Sequence, residues 1–325
     1  MKIFITGASG FVGGAATRRL VAAGHEVHAM SRSPKSDALI SQLGAEPVRC
    51  DLDDVSAGHL QGCAVVIHAA AFVEAWGEAD AWERANVGGT RNMLKAARAA
   101  GVQRFIHIGT EAALVRGQDL HQVDESYPLA FDSPYPYCAT KARAEQAVLA
   151  ANDVAGGFVT LVLRPRFIWG PGDATLLPVI LELAKAGRWS WIDQGRAMTS
   201  TTFIDNLVDA IVLALTAGQP GGAYFILDEG NRSLREIISG MAATAGVTLG
   251  DKSIPGWLAA CVGALSEWLW RTFSLKGAPP LTRHAAMVMR RECTLVGDKA
   301  RVELGYVPRV SVEEGLRRLR ASLAG

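Results

Sequence analysis

The chain lacks the features that would mark several common classes of protein. It has only five cysteines, Cys50, Cys63, Cys138, Cys261 and Cys293, an odd number scattered without paired metal-ligand spacing. That excludes a disulfide framework and a zinc cluster, and it suits a reducing compartment. Charge of one sign is also missing: 33 Lys and Arg face 32 Asp and Glu, for a net charge of +1. There is accordingly no electrostatic case for a nucleic-acid partner. No apolar run reaches the roughly 20 residues a membrane span needs. The longest candidate, Trp257 to Trp270, is interrupted by Glu267 and followed by Arg271, so it allows a peripheral, interfacial helix at most. No internal repeat or low-complexity tract stands out. No charged-then-apolar leader precedes Ile3, so a cleaved signal is not expected and the chain reads as cytoplasmic.

What remains is globular. Hydrophobic residues make up 49% and charged residues 20% of 325 positions, enough for a large core and about two domains. Apolar, β-forming runs recur at Lys2–Thr6, Glu26–Ser31, Glu46–Arg49, Ala64–His68, Arg104–Ile108, Thr160–Arg164 and Ala223–Leu227. Their continuous apolar character predicts a sheet buried on both faces. Helical stretches such as Thr90–Ala100 and Thr140–Ala150 lie between them, and Ala23-Gly24 and Ala99-Ala100-Gly101 read as helix stops. This alternation predicts an α/β fold with a doubly wound, Rossmann-type parallel sheet.

The first strand runs into Gly7-Ala8-Ser9-Gly10-Phe11-Val12-Gly13 and then a helical pattern. In such a turn Gly7 permits the tight bend and Gly10 admits a pyrophosphate to the backbone. Gly13 lets the helix pack close, and the helix start offers free N–H groups to phosphate. The spacing is Gly-x-x-Gly-x-x-Gly, not the Gly-x-Gly-x-x-Gly of the commoner dinucleotide fingerprint. Further on, Tyr137 and Lys141 stand four residues apart on a helix and share one face. A lysine ammonium near a phenol lowers its pKa from about 10, which makes a proton donor and acceptor suited to a hydroxyl/ketone pair.

In order along nearly the whole chain, these pieces and several others resemble the extended short-chain dehydrogenase/reductase family, part of the epimerase/dehydratase superfamily. The others are Asp51-Leu52, His68-Ala69-Ala70-Ala71, Asn86-Val87-Gly88-Gly89-Thr90, Ile108-Gly109-Thr110, Arg164-Pro165, Trp169-Gly170-Pro171-Gly172 and Phe203-Ile204-Asp205-Asn206. Pro279-Pro280-Leu281-Thr282 and Leu304-Gly305-Tyr306-Val307-Pro308 look most like the branch of 3β-hydroxysteroid dehydrogenases and dihydroflavonol reductases. The resemblance implies a catalytic set of Thr110, Tyr137 and Lys141, with Tyr135 a weaker candidate that could face substrate. It implies a cofactor site of Gly7, Ser9, Gly10, Phe11, Val12, Gly13, Arg32, Asp51, Leu52, Ala69, Ala70, Ala71, Asn86, Tyr137, Lys141 and Arg164. Asn86 reads equally as a helix N-cap. His68 and His107, each in an apolar strand, read as hydrogen-bonded core residues, and Arg166 is left without a firm role.

Near the end of the second strand, where NAD-selective folds carry an acid, this chain has Ser31 followed by Arg32. A guanidinium there can bind a 2′-phosphate, which points to NADP(H), with NAD(H) as the other option. Sugar-nucleotide dehydratases of the family follow the strand-end threonine with an Asp-Glu pair. Here Thr110 is followed by Glu111-Ala112, which weighs against elimination and leaves Glu111 as a solvated or helix-entry acid. Six tryptophans, Trp169, Trp189, Trp191, Trp257, Trp268 and Trp270, fall in the C-terminal half. They suit a flat, apolar substrate, or else the packing of the region's own core or a dimer interface.

The expected organisation is a dinucleotide-binding domain of residues 1–169, rejoined by 202–227. A smaller, discontinuous substrate lobe takes 170–201 and 228–325. The expected function is NAD(P)-dependent interconversion of a hydroxyl and a ketone on an apolar small molecule, by a cytoplasmic homodimer without metal. Two alternatives stay open: a sugar-nucleotide epimerase with tightly held NAD, and a catalytically silent dinucleotide-sensing protein.

Overall fold

β-Branched and aliphatic residues form seven short strands lying side by side, all parallel. They are β1 (Lys2–Thr6), β2 (Glu26–Ser31), β3 (Glu46–Arg49), β4 (Val65–His68), β5 (Arg104–Ile108), β6 (Val159–Pro165) and β7 (Gly222–Ile226). In this computed structural model, which describes residues 1–74 and 76–324, the sheet order is β7-β6-β5-β4-β1-β2-β3. Ala75 and Gly325, which fall in the two regions expected above, lie outside the described residues. The expected strands hold to within one or two residues at each end. Alternation sorts their side chains into two cores. Ile3, Ile5, Val65, Ile67, Ile106, Ile108, Leu161 and Leu163 pack on one face, and Phe4, Met30, Val66, Phe105 and Val162 on the other. Burial on both faces is why these runs are almost wholly apolar.

The chain order reverses between β1 and β4, where Ile3 sits between Val27 of β2 and Val65 of β4. In an open parallel sheet the strand C-termini at such a point splay apart and leave a crevice for ligand. Thr6, His68 and Ile108 end their strands there.

Two expected helices begin earlier than the sequence indicated. The second runs Pro136–Ala150, because Pro136 at the first helical position costs no hydrogen bond and presets φ. Tyr137 and Lys141 therefore share its first turns. The other, Gly89–Ala99, is preceded by a wide helical turn, Glu83–Gly88, which places Asn86 inside the turn and not at a cap. Both predicted helix stops are confirmed, with Gly24 and Gly101 at φ of 80° and 73°.

A second, four-stranded sheet joins Arg232–Ser233, Met198–Thr199, Cys293–Leu295 and Leu120–Val123 in that order. A buried carboxylate fastens the surrounding segments. Asp228 accepts from Trp169 Nε1 at 3.0 Å, Thr201 Oγ1 at 2.7 Å, the Phe203 N–H at 2.7 Å and Asn206 Nδ2 at 2.8 Å. Asn206 also donates to Val310 O and accepts from the N–H groups of Arg309 and Val310. The motifs Trp169-Gly170-Pro171-Gly172 and Phe203-Ile204-Asp205-Asn206 thus meet at one buried acid.

Candidate active site

The glycine turn follows β1 and leads into the helix Phe11–Ala22. Gly7 has φ of 76°, a left-handed geometry that disfavours any side chain. At Gly13 an added Cβ would sit 2.2 Å from Gly7 O, so only glycine lets the helix come this close to the turn. The first N–H groups of the helix lack partners within it and open, with Ser9 to Gly13, into a cavity of about 710 Å³. Ala69, Ala70, Ala71 and Phe72 line it beyond β4. Met30, Arg32, Ser36, Asp51 and Leu52 close its far end, where Arg32 is largely exposed and its Nη1 lies 4.0 Å from Asp51 Oδ2. These donors and close approaches fit a dinucleotide.

Thr110, Tyr137 and Lys141 line the same cavity past the end of β5. Lys141 is buried and its Nζ donates to Ile108 O at 3.1 Å. Burial pushes its pKa down to about 8, opposed by the Glu145 carboxylate. Burial also pushes the Tyr137 phenol well above its usual value; the Glu111 carboxylate and the Cys138 thiol add to the rise, and a hydrogen bond with the Thr110 hydroxyl opposes it. The spacing alone predicted a phenol acidified by lysine. Lys141 does not act on it that way in the protein by itself, because its ammonium is turned to the β5 carbonyl and burial dominates both groups. A phenol so placed keeps its proton at neutral pH and is a donor.

Two further expected cofactor contacts are absent among the described residues. Arg164 does not reach the cavity. On β6 it points to the opposite side from its neighbours, into a buried ion pair with Glu145, with Nη1 donating to Glu125 O and its guanidinium 5.5 Å over the Phe225 ring. Asn86 is not among the described cavity-lining residues either. Its side chain clasps the Phe72 backbone, accepting from the N–H at 2.7 Å and donating to the carbonyl at 3.2 Å, and so holds the cavity wall. The remaining cofactor candidates all line the cavity. Tyr135 packs on the His284 ring at 5.6 Å and is not a described lining residue.

Glu111 is not solvated. It is 3% exposed, accepts from Thr110 Oγ1 at 2.8 Å and pairs with Arg166 Nη1 at 2.6 Å. Arg166, itself buried, also donates to Thr199 Oγ1. Both line the cavity. An acid set among Ala112, Ala113 and Leu114 was the available signal: an apolar setting demands a partner. His284 had no such signal. It comes from the helix Arg283–Arg290, packs edge-on to Tyr137 at 5.8 Å, and has its pKa lowered mainly by burial. His68, by contrast, behaves as expected, bonded to Thr6 Oγ1 and Thr90 Oγ1. The expected hydrogen-bonded core role fails for His107, whose two ring nitrogens are buried without a partner among the described residues.

Beyond Tyr137 the cavity is lined by Val115, Leu120, Cys138, Met287, Val288 and Cys293, with Gln118, His284, Arg291 and Glu292 among them. None of the six C-terminal tryptophans is a described lining residue. Trp169 and Trp191 are fully buried, Trp189 stacks edge-on to Trp191 at 5.0 Å, and Trp257 and Trp268 face outward.

A crevice at the sheet's switch point, entered by a glycine turn and a helix start, defines an extended short-chain dehydrogenase/reductase. The chain belongs to the 3-beta hydroxysteroid dehydrogenase/isomerase family, whose sequence profile it matches over residues 4–250. It is 40% identical over 322 residues to the 4-hydroxy-2-methyl-3-oxo-4-farnesyl-3,4-dihydroquinoline-1-oxide ketoreductase of Stigmatella aurantiaca, covering 98% of this chain and 96% of that one. It is 41% identical over 335 residues to the 2-alkyl-3-oxoalkanoate reductase of Stenotrophomonas maltophilia (strain K279a), covering 100% of both. The solved UDP-glucuronic acid 4-epimerase from Bacillus cereus in complex with NAD aligns with a TM-score of 0.76 and 20% identity, over 100% of this chain and 99% of that one. That likeness shows the fold. The chain is an NAD(P)-dependent oxidoreductase that interconverts a hydroxyl and a ketone.

Proposed function

We propose that the protein reduces a ketone carrying a long alkyl or prenyl chain, with Tyr137 as the proton donor. The observation that carries this reading is that Tyr137 and Thr110 line one cavity with the glycine turn and with the aliphatic side chains of Val115, Leu120, Met287 and Val288, among which Gln118, Arg291 and Glu292 are interspersed. The names of the two ketoreductase relatives support the same substrate class.

A bound nicotinamide dinucleotide supplies the hydride for the carbonyl carbon. The helix start Phe11–Gly13 would hold its phosphates, Asp51 and Leu52 its adenine, and Lys141 its ribose, all of them lining one cavity. The Tyr137 phenol, protonated at neutral pH, gives its proton to the carbonyl oxygen. Thr110 lies beside the phenol, and Glu111 holds the Thr110 side chain by accepting a hydrogen bond from its hydroxyl at 2.8 Å.

NADPH is proposed as the preferred cofactor, because the exposed Arg32 can swing onto a 2′-phosphate at the adenosine end. A dinucleotide domain of 1–169 with 202–227 and a substrate lobe of 170–201 with 228–325 remain the proposed division. A cytoplasmic homodimer is the proposed assembly. No helix among the described residues is long and apolar enough to cross a membrane.

The test is Tyr137→Phe, assayed for NADPH oxidation across 3-oxoalkanoates, prenylated quinolones and steroids. Turnover should fall by about a thousandfold or more, in line with loss of a general acid, while dinucleotide affinity stays within about twofold. Wild-type turnover in that variant would place the acid elsewhere.

A further inference from the structure

Two buried arginines stand two residues apart at the end of β6, and the protein fully uses only one of them. Arg164 is 3% exposed and Arg166 7%. A guanidinium carries five N–H donors on three nitrogens, and interior donors are ordinarily paired. All three nitrogens of Arg164 are paired, Nε and Nη2 with Glu145 Oε1 and Nη1 with Glu125 O. That arginine is a brace between segments. Arg166 differs. Its Nε donates to Thr199 Oγ1 at 3.2 Å and its Nη1 to Glu111 Oε1 at 2.6 Å. Nη2 has no acceptor among the described residues, yet it is not one of the atoms sealed in the interior without a partner. Arg166 lines the cavity, so the Nη2 N–H groups open into it.

The surroundings point to what meets those N–H groups. The Glu111 carboxylate bridges the reaction centre and the arginine, with Oε2 accepting from Thr110 Oγ1 at 2.8 Å and Oε1 from Arg166 Nη1 at 2.6 Å. Two hydrogen bonds and one carboxylate keep the Thr110 hydroxyl within about 8 Å of Nη1. Cys138, His284 and Cys293 line the cavity beyond Tyr137. Burial dominates their ionisation, and the Arg166 charge acts on all three. Arg166 therefore serves the substrate part of the cavity and not the phosphate turn. Gln118, in the same part, already donates to Leu114 O and Tyr127 OH. Glu111 balances the Arg166 charge, and Arg291 is bonded to Asp119 at 3.2 Å. What Arg166 offers is a fixed donor, not an unpaired positive charge. Its match is an uncharged carbonyl oxygen close to the ketone.

We propose that Arg166 Nη2 binds the second carbonyl oxygen of a 3-oxoacyl substrate, while Tyr137 and Thr110 hold the ketone that is reduced. This subsite rests on the ketoreductase reading and narrows its substrate to a ketone with an acyl carbonyl two carbons away. Arg166 sets specificity by binding, and neither proton nor hydride passes through it.

The test compares ethyl 3-oxohexanoate with 4-nonanone, chains of equal length with the ketone at the same place, through the ratio of their kcat/KM values. Arg166→Lys keeps a cation for Glu111 and lacks the nitrogen turned into the cavity. It should lower the ratio about tenfold or more, as loss of one hydrogen bond to a charged group does. The unequal reactivity of the two ketones is common to both proteins and cancels. Glu111→Gln with Arg166→Met leaves no unpaired buried charge and should lower the ratio in the same way. Equal losses on both ketones, with the ratio kept, make Arg166 purely structural and overturn the proposal. So does a weakened Kd for NADPH at an unchanged ratio, which gives the free nitrogen to the dinucleotide. Calorimetric binding of the same two compounds to the NADP+ complex separates the subsite from the reaction. Tighter binding of the ester by the wild type, lost in both variants, supports the subsite, and equal binding of both compounds by the wild type overturns it. A protein that prefers the ester in binding but reduces neither ketone keeps the subsite and sinks the reading of the reaction.

Discussion

At the level of single residues, the site is governed by groups that cannot easily be charged where they stand. Lys141 has an ordinary pKa of 10.5, lowered to about 8 by burial. Below about 8 it is protonated whether the chain is folded or not. Between about 8 and 10.5 the unfolded chain holds a proton that the folded chain has shed, so stability should rise with pH through that window. Lys141→Met should remove this rise, on the order of 3 kcal/mol, in urea titrations of the dinucleotide-free protein at successive pH values. Glu111 raises a different issue. Glu111→Gln leaves the buried Arg166 without its counter-charge and should cost about 3 kcal/mol, read as a lower urea midpoint. It should also lower turnover more than dinucleotide affinity, because Thr110 loses its charged acceptor. The partners are 55 positions apart and no local pattern joins them, which is why the sequence showed an acid without showing its purpose. Tyr137 and Lys141, one helical turn apart, were legible because the chain itself sets their distance.

At the level of elements, what could be read was whatever depends on burial alone. Strands covered on both faces leave continuous apolar runs, and all seven were found nearly to the residue. Side-chain direction at the strand ends was harder. Arg164 and Arg166 are two residues apart, yet one enters a buried pair with Glu145 and the other lines the cavity, since β6 ends at Pro165 and the alternation ends with it. The family-like run after Trp169 was recognised as a motif, but its reason appears only in three dimensions, where Asp228 gathers one donor from Trp169 and three from the stretch Thr201–Asn206. Asp228→Ala strands these donors in the interior and should cost about 3 to 5 kcal/mol in chemical denaturation. Asp228→Asn, which keeps an acceptor, should cost less.

For the whole molecule, dinucleotide binding and folding are linked. A ligand that binds only the folded chain at a hundred times its Kd stabilises it by about 2.7 kcal/mol. In a chain of this size that amounts to several degrees in Tm. NADPH should therefore raise the thermal midpoint more than NADH at equal concentration. Arg32→Asp should erase or reverse that order while leaving the unliganded midpoint nearly unchanged, because Arg32 is mostly exposed. Equal shifts with the two dinucleotides in the unmutated protein would sink the NADPH assignment.

The four-stranded sheet joins Leu120–Val123 to Cys293–Leu295, segments more than 170 positions apart, and together they help form the substrate wall. The proposed phosphate and adenine contacts, by contrast, come from the turns after the early strands β1 to β4. Substitutions at Leu120 or Met287 should therefore change substrate preference more than dinucleotide affinity, read as KM for ketone against Kd for NADPH.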